Sequence, residues 1–75
     1  NDVLAIDFKS NRIVPTTAEN VPIGLLRQMG AYAEGLEAIY PGKTIRLALL
    51  WTKTVELMEL PHGLIRHALT ATPIP

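Results

Sequence analysis

The chain has 75 residues, 48% of them apolar, and its seven basic and seven acidic side chains leave no formal net charge. That suffices for one small core and lacks the basic excess of a free-standing nucleic-acid binder, although a larger parent could supply that elsewhere, so charge neither proposes nor excludes DNA. The absence of cysteine excludes a disulfide framework and suits a reducing compartment. No apolar run approaches the roughly 20 residues of a membrane span, so a cytoplasmic protein with no membrane partner is expected.

The first element, "VLAIDFK", is almost continuously apolar up to Asp7, the pattern of a strand covered on both faces. Asn1 and Asp2 are turn formers and are expected to close a hairpin whose first strand is not in the chain, so that the sequence starts inside a fold. A central strand without that neighbour leaves its backbone groups bare, which predicts pairing with a second copy or with further parts of a parent chain.

Residues 10–22 are rich in Ser, Asn, Thr and Pro and read as a long loop. Thr16 and Glu19 have capping-box spacing and Pro22 suits a first helical turn, placing a helix start near residues 20–22. Leu25, Met29, Tyr32, Leu36 and Ile39 then form one stripe at helical spacing, ended by Pro41 and Gly42. Gly24, Gly30 and Gly35 weaken that helix, and close packing against a sheet would explain them.

"TIRLALLW" predicts a second buried strand, a turn over residues 52–54 follows, and "VELMEL" is its hairpin partner. Pro61 opens a short helix with Leu64, Ile65, Ala68 and Leu69 on one face, and "ATPIP" reads as a frayed tail. The expected class is α/β, in the order strand, long loop, helix, hairpin, short helix. Residues 1–72 make one unit and 73–75 lie beyond it.

Asp7 and Lys9 are two residues apart on a strand and therefore project from the same face. A carboxylate is the hard oxygen ligand that magnesium prefers, and a neighbouring ammonium orients water or offsets charge growing on a phosphate. An isolated D-x-K is ordinarily a solvated strand end, so the spacing alone decides nothing.

The wider pattern is more specific. Asp7, Phe8, Lys9, Ser10 and Asn11 at a strand end, followed on a helix by Gln28 and Tyr32, resemble the RecB-like nuclease domains of the PD-(D/E)XK superfamily. Such domains have a D-[YF]-K-[ST]-[NG] strand end and a helix bearing Q-x-x-x-Y. "AIYPGKTIRLALLWT" and "LMELP" extend the likeness to the C-terminal part of AddA-type helicase-nuclease subunits of the UvrD/Rep superfamily.

The resemblance implies a partial restriction-endonuclease-like fold and a magnesium-dependent DNA exonuclease acting in double-strand break repair and recombination. It implies that Asp7 is a magnesium ligand, that the Phe8 carbonyl is a further ligand, and that Lys9 positions the attacking water. Gln28 and Tyr32 would support the site, with Ser10, Asn11 and Arg12 as DNA-contact candidates. ATP would belong to a helicase part outside this chain, and the implied partners are DNA and an AddB-type subunit. Relatives also carry an acid on the preceding strand and often an upstream histidine, neither of which this chain contains, and Asp2 has the wrong strand parity to replace the acid. With a single carboxylate, the isolated chain is expected to be inactive as a nuclease.

Other readings stay open. One is a non-catalytic nuclease-like module that docks a partner subunit or DNA, and another is a smaller stand-alone RecB-like exonuclease of the kind that often adds an iron-sulfur cluster. Tyr32 also lies on the apolar stripe, where it would pack in the core. Trp51 at a strand end is a candidate for base stacking as well as for core packing. Arg27 is a third basic residue, with Lys9 and Arg12, that could line a phosphate path. His62 and His67, five apart on a short helix, diverge too far to share a metal.

Overall fold

The computed structural model describes residues 2–70. Three strands and two helices follow in the order β1 (Asp2–Lys9), α1 (Ile23–Ile39), β2 (Thr44–Trp51), β3 (Glu56–Leu60) and α2 (His62–Thr70), with a short 3-10 turn at Ala18–Asn20 before α1. The sheet order is β1-β2-β3, with β1 parallel to β2 and β3 antiparallel to it. The result is a small mixed α/β domain. No helix among the described residues is long and apolar enough to cross a membrane.

The two helices share one face of the sheet. Ile45, Leu47, Leu49 and Trp51 alternate onto that face from β2 and pack with Leu26 and Met29 of α1 and Ile65 and Ala68 of α2. On β1 the same face carries Val3, Ala5, Asp7 and Lys9, all half-buried. The opposite face is uncovered: Leu4, Ile6 and Phe8 are 42, 43 and 65% exposed. The apolar run of β1 does mark a strand, but the expected cover on both faces is corrected, since only one of them is packed.

Several expectations are corrected. Asp2 belongs to β1 and pairs with Thr44, so it does not form a turn, and Asn1 and the tail lie outside the described residues. Thr16 makes no capping box with Glu19. The 3-10 turn takes up this stretch, with no side-chain cap at Thr17, and the Pro22 carbonyl receives the Leu25 and Leu26 amides at the start of α1. The packed stripe of α1 is rotated toward Leu26, Met29 and Gly30, because α1 rests on β2 and α2. Tyr32 and Ile39 are 46 and 67% exposed as a result.

Close approach does explain Gly30, but against a helix: a Cβ there would stand 2.9 Å from Leu69 of α2. Gly24 and Gly35 have no neighbour within 4 Å of such an atom. The hairpin turn also reaches one residue further than expected, taking Val55 out of β3 with a φ of 56°.

Candidate active site

The candidate site lies where β1 ends. Because β1 alternates, Asp7 and Lys9 project together onto the helix-bearing face, and Lys9 Nζ stands 3.0 Å from Asp7 Oδ2. Both side chains remain about a quarter exposed, at 24% for Lys9 and 29% for Asp7. The pair is thus reachable from solvent, and among the described residues neither side chain has a second ion-pair partner.

The strand end is held from the neighbouring strand. The Lys9 carbonyl accepts the Thr52 amide at 2.9 Å and Thr52 Oγ1 at 3.2 Å. Successive carbonyls of a strand point to opposite sides, so the Phe8 carbonyl is directed to the free edge of β1. Ser10, Asn11 and Arg12 follow, all exposed, and the Arg12 carbonyl accepts Lys53 Nζ at 3.1 Å. The hairpin turn between β2 and β3 therefore grips both the strand end and the loop.

Gln28 and Tyr32 come together on α1, with Gln28 Nε2 donating to Tyr32 Oη at 3.0 Å. Their spacing of four residues makes that contact a direct product of helix geometry. Tyr32 also lines an apolar cleft of about 370 Å³ between α1 and β1, whose β1 wall is Ala5. Ala5 is two residues from Asp7 on the same face of the strand, and neither Asp7 nor Lys9 lines the cleft. No hydrogen bond joins Gln28 or Tyr32 to Asp7 or Lys9 among the described residues.

Two sequence candidates, Trp51 and Arg27, have other employment, and so does His62, which is not a candidate. Trp51 is fully buried, with no partner for its Nε1, so it packs in the core and does not stack a base. Arg27 Nε donates to the Ala68 carbonyl at 2.9 Å, which ties α1 to the last turn of α2. His62 Nε2 lies 2.8 Å from the Ile45 carbonyl, linking the start of α2 to β2.

Asp7 and the Phe8 carbonyl offer oxygen donors of the kind magnesium takes, at the low end of the one or two carboxylates such sites use. Among the described residues, no three His, Cys, Asp or Glu side chains gather closely enough to hold a metal ion. Glu56, which sequence reading did not consider, reaches the same face from β3, but Trp51 pairs between it and Lys9. Only the sheet register reveals that neighbourhood.

On the other face Arg46 forms a bidentate pair with Glu59, with Nε 3.0 Å from Oε2, and approaches Asp2 at 3.8 Å. The Arg46 hydrogen bond holds the Glu59 carboxyl below its ordinary range, and Glu59 raises Arg46 in turn. This cluster crosses all three strands and is structural.

Comparison with protein-family models, with curated proteins and with solved structures finds no match.

Proposed function

We propose that the chain is part of a magnesium-dependent DNA nuclease domain of the RecB-like PD-(D/E)XK kind, belonging to a helicase-nuclease that processes broken double-stranded DNA in the cytoplasm. The observation that carries this reading is the Asp7–Lys9 pair, 3.0 Å apart on one face at an accessible strand end. The motif resemblance supplies the rest. When bound, magnesium would polarise a phosphodiester and lower the pKa of a bound water.

In this reading the Asp7 carboxylate and Phe8 carbonyl would hold the ion. Lys9 would orient the attacking water and offset the charge growing on the phosphate. Gln28 and Tyr32 would steady the nucleic acid at the α1 side, and the exposed polar run Ser10, Asn11, Arg12 would meet its backbone. Lys9 now bonds Asp7, so this chain's own cation occupies the lone pair that a metal would need. A further acid from outside these residues would complete the site, and an AddB-type subunit is the proposed partner.

The uncovered apolar face of Leu4, Ile6 and Phe8 favours a second reading, a non-catalytic module that docks a partner subunit. One experiment separates the two. In the intact helicase-nuclease that the first reading requires, Asp7→Ala and Lys9→Ala should each lower magnesium-dependent degradation of linear DNA by about a thousandfold while sparing DNA-stimulated ATP hydrolysis. Unchanged degradation in Asp7→Ala would leave only the docking module.

A further inference from the structure

A second cavity lies away from the candidate nuclease site. It has a volume of about 280 Å³ and opens between α1, α2 and the start of β2. Its lining includes neither Asp7 nor Lys9, and the lining residue furthest along β2, Leu47, pairs with Ala5, two positions short of Asp7. The two places can be occupied independently.

The floor is apolar, built by Ala33, Ile45, Leu47 and Ile65. The rim is charged with both signs. Glu34 and Glu37 stand one turn apart on α1, Lys43 comes from the turn before β2, and Arg66 comes from α2. All four are exposed. Among the described residues they form no ion pair with one another, whereas Lys9 and Arg46 both find carboxylate partners. Two carboxylates and two cations thus surround one concave apolar surface without neutralising each other.

That arrangement restricts what fits. A purely apolar ligand would use the floor but gain nothing from the four solvated charges. A simple anion would face Glu34 and Glu37, and a simple cation would face Lys43 and Arg66. A molecule with an aliphatic body and one charge of each sign meets every wall. An α-amino acid carries both charges on one carbon, while two residues of peptide separate them by about 7 Å. A guanidinium at the carboxylate end adds a fork that matches its geometry. The volume is close to the lower limit of ligand sites, about 300 Å³, as a molecule of this size requires.

We infer that this cavity binds a short aliphatic peptide of about dipeptide size, in zwitterionic form. Its ammonium lies toward Glu34 and Glu37, its carboxylate toward Lys43 and Arg66, and its aliphatic side chains on the Ala33–Ile65 floor. The inference does not depend on the nuclease reading.

The test is a titration of the isotope-labelled full chain with the dipeptide leucyl-leucine, followed by amide chemical shifts. The expected result is saturable shifts at Gly30, Ala33, Lys43 and Ile45 with a millimolar Kd. Glu37→Gln and Arg66→Gln should each weaken binding about tenfold, the loss of one charge-assisted hydrogen bond. The same dipeptide with its amine acetylated and its carboxyl amidated should bind at least tenfold more weakly to the unmodified chain, a comparison that needs no variant to fold. Equal binding of the capped peptide, no saturable shift, or shifts confined to Leu4, Ile6 and Phe8 would each overturn the proposal.

Discussion

Lys9 Nζ and Asp7 Oδ2 stand 3.0 Å apart on the same face of β1, and the pair is partly open to solvent. Exposed pairs of this kind stabilise a fold by no more than about 1 kcal/mol, since solvent screening and side-chain entropy offset the attraction. Asp7→Asn and Lys9→Met should therefore each shift the urea-unfolding free energy by less than about 1 kcal/mol. A loss of several kcal/mol would make the pair a structural element and weaken its assignment to chemistry.

The helical glycines give an internal comparison. Gly35 sits mid-helix with nothing within 4 Å of a notional Cβ, so Gly35→Ala should stabilise the chain by about 1 kcal/mol through helix propensity. Gly30→Ala makes the same propensity gain but drives its methyl to 2.9 Å from Leu69, which must move. Thermal melts should rank Gly35→Ala above the parent and above Gly30→Ala.

Val55 adopts a φ of 56° in the hairpin turn, a conformation that a β-branched residue disfavours. Val55→Gly and Val55→Asn relieve that strain, and Val55 is 80% exposed, so little packing is lost. Each should raise stability by about 0.5–1 kcal/mol in urea unfolding, the left-handed penalty less the entropy cost of a more flexible unfolded chain.

Glu59 is held below its ordinary range by the Arg46 hydrogen bond, so its contribution to stability is present above the ordinary value of about 4.5 and is lost as the pH falls through the lowered one. Arg46 is raised still further from a range already above any relevant pH and contributes no titration of its own. Unfolding free energy followed from pH 6 downward should fall more steeply in the parent than in Glu59→Gln over that acidic window. Parallel curves would remove the carboxylate from the linkage.

The type and order of the three strands and two α-helices were legible in the chain, because long apolar runs and Gly or Pro punctuation mark them locally, whereas the 3-10 turn at Ala18–Asn20 was not. The same-face relation of Asp7 and Lys9 follows from the two-residue period of a strand, and the Gln28–Tyr32 bond from the four-residue spacing of a helix. What local pattern could not supply was tertiary. The stripe on α1 turned toward Leu26 because α2 packs there, and Gly30 met Leu69 across 39 positions of sequence. The grip of Thr52 on Lys9 and of Lys53 on Arg12 spans 43 and 41 residues, beyond any motif. The bare face of β1 escaped for a related reason: an apolar run says that a face favours cover, not what is there to cover it.

The central claim is that the Asp7 carboxylate, with the Phe8 carbonyl beside it, is a ligand for a divalent cation. The most direct measurement is titration of the isotope-labelled chain with manganese, a paramagnetic substitute for magnesium, followed by amide line broadening. The account predicts broadening centred on Asp7, Phe8 and Lys9 that disappears in Asp7→Asn. Broadening centred instead on Glu34 and Glu37, or unchanged by that substitution, would contradict it.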